Sequence, residues 1–535
     1  MPNYSKGDNL GKMILREVDK AEIIVLVDNY SDLFLSDTDM VKRLKILPPG
    51  APMSEPGLSY LLKVHSGSDT HTLLFDTGIS GSCLLHNAKT FASSKAVLMG
   101  EVSAKFEDIE AVILSHGHFD HMGNIDLLAA GGYKGKCYTH AASKELTKIQ
   151  LLGNISYDNW KHKNRGGDKP SLTYKQAKAF IDNQFVEGIG YGQQLNLSDN
   201  IKVTLYDAGH IIGSSQVLYE INVNGETVKI LTAIDLGRSD CDVPIIREPF
   251  IDFPDDIDFA FIESTYGAHQ HKNRQETREE LCGYTQKLIK DNRRGIISAF
   301  STGRTASVLS DLYWGFEQGM FPEDFRIFLD SPGAAQQIPL VKRHEDCWDD
   351  MTLAAMKGKY HIFKFPNLKI IRTKKESDAL DKLTRESDAP YVIISASGMG
   401  SMGRIVKHIK SHISHDDVDY FITGYQAPGT NGWQLERGTD SLKIDGKEVP
   451  VSANVIRLRG YGAHADGKGC VKHIVDYVKP SKGVIVAHGD KKQNDWMLEN
   501  LVKAFDKKNQ SVPVEIARMG TTYGFNPNGL EVLTK

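Results

Sequence analysis

Paired cysteines are missing from this chain. Its six cysteines, Cys83, Cys137, Cys241, Cys282, Cys347 and Cys470, are scattered with no CxxC spacing. That pattern fits neither a disulfide framework nor a cysteine-paired zinc site, and it favours a reducing compartment. No apolar run approaches the roughly 20 residues a membrane span needs. The opening MPNYSKGDNLGKM has no apolar core for secretion. A cytoplasmic protein without a membrane partner is therefore expected. An excess of one charge is absent too: the net charge is -4 over 535 residues, so any nucleic-acid footprint must be a local groove rather than a global field. With 40% hydrophobic and 25% charged residues, the chain has an ordinary globular composition and room for more than one domain.

What is present is concentrated in AVILSHGHFDHMGNID, residues 111–126, where an apolar run ends in His116, His118, Asp120 and His121. Ala111 to Leu114 reads as a buried strand, and Gly117 and Gly123 mark a tight turn into a helix. A loop at the strand's C-terminal end can aim His116 and His118 at one ion, while Asp120 and His121 face a second ion beside it. A lone histidine is usually an ordinary core or surface residue; four metal-competent side chains within six positions are not read that way.

The same grammar recurs along the chain. Ala21 to Val27 and Gly57 to Val64 read as strands separated by a Pro-rich link through Pro48, Pro49, Pro52 and Pro56. THTLLFDTG then places Asp76 at a strand end, either as a plain turn residue or as a carboxylate that orients a neighbour by hydrogen bonding. Residues 143–198 are mixed and polar, and the basic run Lys161, Lys163, Arg165 and Lys169 reads as a solvated loop rather than a nucleic-acid contact. Ile201 to Tyr206 leads to His210, Val228 to Ile234 leads to Asp235, and Gly483 to Ala487 leads to His488. About 250 residues separate Asp235 from His488. Within them, the strands Gly295 to Phe300, Phe325 to Leu329 and Tyr391 to Ala396 alternate with helical patterns, one of which has Val308, Leu309, Leu312 and Phe316 on one face. This argues for an inserted parallel α/β domain.

The motif HxHxDH, with Asp76, His210, Asp235 and His488, resembles the metallo-β-lactamase fold hydrolases. FIESTYG at 261–267, AFSTGRT at 299–305, LDSPGA at 329–334, SASGMGSMGR at 395–404, TGYQAPGT at 423–430 and GAHAD at 462–466 are similar to the β-CASP nucleases, the group of RNase J and the messenger RNA 3′-end cleavage subunit. The resemblance implies a metallo-β-lactamase αβ/βα sandwich with an inserted parallel α/β β-CASP domain. Residues 1–267 would form the first part of the sandwich, 268–412 the β-CASP domain and 413–535 the completing part. It further implies two Zn²⁺ per chain. His116, His118 and His210 would hold the first, Asp120, His121 and His488 the second, with Asp235 bridging and Asp76 behind the ligands.

A zinc-dependent ribonuclease is the function so implied. A hydroxide shared by the ions would be the nucleophile, His464 the general acid, and Glu263 the partner that keeps its imidazole charged. Ser395, Ser397, Gly398 and Arg404 of the glycine-rich loop would hold substrate phosphate. Single-stranded RNA is the expected partner, because the motif C position is His488, whereas the DNA-processing branch has an apolar residue there. A homodimer is expected by the same analogy. Two other readings stay open: a DNA nuclease, or a hydrolase of small phosphoester or pterin-like substrates. The second is suggested by AEIIVLVDNYSD and LLFDTGISGSCLLHNA near the front, which resemble a different metallo-β-lactamase branch. Endonuclease or 5′-exonuclease action is not legible.

Overall fold

A computed structural model describes residues 20–27, 58–66, 69–78, 109–166, 169–238, 246–254, 256–387, 389–519 and 521–534. The Pro-rich link, the residues beyond Gly78 in the front motif, Cys83 and Cys241 lie outside them.

Strand residues alternate between two apolar surroundings. Ile23 and Val25 of Lys20–Val27 point into one buried cluster, and Ile24 and Leu26 into another. A strand apolar on both faces has to be covered on both sides, and that requirement builds the layers. Seven strands, in the order Gly529–Thr534, Thr522–Asn526, Lys20–Val27, Ser59–Ser66, Asp69–Phe75, Ala111–Ile113, Lys136–Tyr138, form one sheet. A second sheet runs Val514–Ile516, Gly483–Ala487, Phe259–Glu263, Glu226–Ala233, Ser215–Val223, Ile201–Asp207, Gln194–Asn196. Tyr60, Phe75 and Ile113 of the first pack against Tyr219, Phe261 and Ile485 of the second. The outer face of the first sheet lies under Leu128, Leu151, Ile155 and Ile181 from helices. The outer face of the second lies under Ile474, Met497, Leu501 and Phe505. Each large apolar side chain buried in these layers contributes about 1.5–3 kcal/mol.

A third sheet, entirely parallel, has the order Leu368–Ile370, Arg326–Leu329, Tyr391–Ser395, Arg294–Ser298, Val418–Ile422, Asn454–Arg457. Its last two strands lie beyond residue 412, in the stretch the sequence division assigned to the completing part of the sandwich. The stretch 143–198 is largely helical, although its basic run reads as a solvated loop. It holds a 25-residue helix, Ala141–Arg165, which carries Lys161, Lys163 and Arg165, and a second helix, Tyr174–Gln184. The reason is a narrow apolar stripe: Leu151, Leu152 and Ile155 bury one side of an otherwise polar helix. The second helix starts at a reciprocal cap between Thr173 and Gln176.

Candidate metal centre

Parallel pairing brings the polar strand ends together. Glu226–Ala233, Phe259–Glu263 and Gly483–Ala487 are parallel neighbours, so Asp235, Glu263 and His488 emerge at one edge of the second sheet. Asp69–Phe75 and Ala111–Ile113 are likewise parallel, so Asp76 and the Ser115–His116 turn emerge together on the first. Asp76, Asp235 and His488 all take left-handed backbone conformations, with φ of 48°, 51° and 58°. Non-glycine residues adopt this region at a cost, and it is found where a side chain must be aimed at a site. Gly237 lets the Asp235 turn lie against the His210 turn: its N–H donates to Ala208 O at 2.6 Å, and a Cβ there would strike the Gly209 carbonyl.

The donors form two groups. His116 Nε2 and His210 Nε2 lie 3.1 and 2.9 Å from His118 Nδ1, and each is 3.3 Å from Asp235 Oδ2. Ligands about 2.0–2.1 Å from a tetrahedral zinc would be separated by about 3.3 Å, so the spacing fits an ion's shell. The other carboxylate oxygen, Asp235 Oδ1, faces His121 Nε2 at 3.4 Å and His488 Nδ1 at 3.2 Å. Asp120 Oδ2 is 3.6 Å from His121 Nε2. Asp235 thus lies between the two groups with one oxygen toward each. His121 Nε2 and Asp235 Oδ1 are buried with no hydrogen-bond partner, a costly state unless a cation occupies the space between them.

Hydrogen bonds set the imidazole tautomers. Ser115 Oγ donates its one proton to Asp76 Oδ2 at 2.6 Å, so it accepts from His116 Nδ1–H at 2.9 Å. Asp76 Oδ2 also accepts from His121 Nδ1–H at 2.8 Å, and Asp76 Oδ1 accepts from the Ser115 N–H at 2.7 Å. Both rings therefore turn an unprotonated Nε2 inward when neutral. Burial holds His116, His118 and His210 below the usual imidazole range, His118 at about 3. For His121 burial works the same way, but Asp235, Asp120 and Asp76 outweigh it and raise the ring well above its usual value; a metal ion would replace that proton. Sequence reasoning missed Ser115 and Thr265, whose hydroxyl lies 3.2 Å from His488 Nδ1. Both sit inside or beside motifs, which was the only signal. Asp76→Ala is expected to weaken metal binding about 10- to 100-fold, measured by titrating the metal-free protein with a competing chelator.

His464 stands beside the first donor group, its ring centroid 4.4 Å from that of His210. Its Nδ1 reaches both oxygens of the fully buried Glu263, at 3.0 and 2.9 Å. Burial opposes charge on this ring, yet Glu263 and Asp235 outweigh it and push it up to about 9. The glycine-rich loop is arranged differently from the expectation. Ser395 is buried and donates to Asp330 O at 2.7 Å, while Arg404 pairs with Asp330 Oδ1 at 2.5 Å. The Ser397 N–H donates to Met402 O at 3.2 Å, and the Gly398 carbonyl accepts from Gln426 Nε2 at 2.9 Å. Ser395 and Arg404 are thus committed to Asp330.

Two family models match the chain: the metallo-beta-lactamase superfamily over residues 54–193 and the Beta-Casp domain over residues 306–435. The chain belongs to the metallo-β-lactamase superfamily, to the β-CASP nuclease family within it. Among its relatives is the transcription termination factor FttA of Methanocaldococcus jannaschii, 27% identical over 465 residues, covering 84% of this chain and 67% of the relative. Ribonuclease TTHA0252 of Thermus thermophilus is 26% identical and covers 72% of this chain and 83% of its own. RNase aCSPSF2 of Saccharolobus solfataricus is 25% identical, covering 76% and 73%. No described helix is long and apolar enough to cross a membrane.

Proposed function

We propose that the chain is a zinc-dependent ribonuclease that hydrolyses phosphodiester bonds of single-stranded RNA. The observation that carries this reading is the juxtaposition of two buried donor groups around Asp235 with the His464–Glu263 pair 4.4 Å from the first of them. His116, His118 and His210 would hold one ion, Asp120, His121 and His488 the other, with Asp235 between. The nitrogen- and carboxylate-rich donor set suits Zn²⁺. When bound, the metal pair supplies activation of a water nucleophile and neutralisation of phosphate charge.

The chain's own residues supply the rest. Glu263 accepts from His464 Nδ1–H and leaves Nε2–H free to protonate the departing ribose oxygen. Asp76 and Ser115 keep His121 and His116 in the orientation that binds metal. Ser397 and Gly398 remain the proposed phosphate contacts of the glycine-rich loop, with Ser395 and Arg404 acting through Asp330. The names of the relatives support RNA as substrate. Removing metal with a chelator is expected to abolish cleavage of end-labelled RNA, and adding back Zn²⁺ to restore it; cleavage undiminished in the metal-free protein would overturn the proposal.

A further inference from the structure

A second group of metal-competent side chains lies away from the centre described above, where the inserted domain meets the long helix of the sandwich. His140 caps the start of Ala141–Arg165, and Asp346 and Cys347 lie on the single turn Glu345–Cys347. One ligand atom from each falls within 4.8 Å of the others. His140 Nε2 is 3.4 Å from Asp346 Oδ2, and Cys347 Sγ is 3.9 Å from the same imidazole at Nδ1. His140 is fully buried, stacked on Tyr191 at 4.1 Å, and its Nε2 has no hydrogen-bond partner.

We propose that His140, Asp346 and Cys347 form a third metal site, which takes a borderline divalent cation such as Zn²⁺ and ties the two domains together. The donor set of one imidazole, one carboxylate and one thiolate is of the kind such ions select. Asp346 is more than half exposed and gives the ion a route from solvent, while Cys347 is buried and closes the inner side. His344 supplies a further imidazole at the rim, its Nδ1 3.9 Å from Asp346 Oδ1. Ligation through Nε2 puts the ring proton on Nδ1, the atom that accepts from the Ala142 N–H at 3.2 Å, so binding requires that N–H to turn away from the ring. Binding releases the Cys347 thiol proton and, from the neutral ring, leaves the proton count on His140 unchanged.

The site spans 207 residues of sequence between His140 and Cys347, which is why no motif announces it. The ion would fix the helix whose Gln150 side chain bonds the Gly117 carbonyl beneath the HxHxDH turn. The test uses the metal-free full chain loaded with Co²⁺. Among the described residues no cysteine belongs to the first centre, so a near-ultraviolet thiolate-to-Co²⁺ absorption is expected from wild type and absent from Cys347→Ser. With Zn²⁺, Cys347→Ser and the more exposed Asp346→Asn are each expected to hold one ion fewer per chain than wild type. A wild type without the thiolate band, or variants that keep both the band and the full zinc count, would overturn the proposal.

Discussion

Replacing Asp235 with Ala is expected to remove RNA cleavage almost completely, by roughly 10³-fold or more, since metal activation is worth several kcal/mol. The reason is geometric. Among the described residues Asp235 is the one carboxylate that presents an oxygen to each donor group, Oδ2 to His116 and His210 and Oδ1 to His121 and His488. Without it the imidazoles lose the anion between them, and two cations held by the two groups would repel without that compensation. Metal analysis of the variant is expected to show fewer ions per chain than wild type. Normal cleavage by Asp235→Ala would contradict the dinuclear arrangement.

His464→Ala is expected to act differently. It should slow the bond-breaking step by roughly 10²- to 10⁴-fold, the range of general acid catalysis, while leaving metal content unchanged. The structure gives two grounds. His464 is held by Glu263 through Nδ1, and the group it forms with Glu263 and Asp235 is separate from the two donor groups proposed to bind metal. Single-turnover rates with saturating enzyme, measured beside metal content, separate the roles: metal lost along with activity would make His464 a ligand instead of an acid.

The centre was largely legible in the sequence because its residues share a local rule. Each of His116, His210, Asp235 and His488 follows an apolar run short enough to be a buried strand; parallel pairing brings the ends before Asp235 and His488 together, and the strand before His210 joins the same sheet through an antiparallel neighbour. Partners chosen in three dimensions were not legible. Asp76 could have been a turn residue; its bonds to Ser115 and His121, 39 and 45 residues away, exist only once two strands pair. Ser395 and Arg404 looked free to hold a phosphate because Asp330, which engages both, lies 65 and 74 residues off. The basic run Lys161 to Lys169 reads as a loop because Lys, Asn and Asp crowd the exposed faces of the helix Ala141–Arg165, whose apolar stripe shows only against the sheet it covers. The inserted sheet continues past residue 412 because Val418–Ile422 and Asn454–Arg457 pair in parallel beyond Arg294–Ser298.

The central claim is that this centre hydrolyses RNA. Wild type and Asp235→Ala, each with metal content determined, should be incubated with end-labelled single-stranded RNA and DNA of one sequence. Zinc-dependent cleavage of the RNA by wild type, missing in the variant, is the expected result, and the fragment ladder would distinguish internal from terminal cutting. A zinc-loaded wild type that cleaves neither polymer, or DNA alone, would contradict the account.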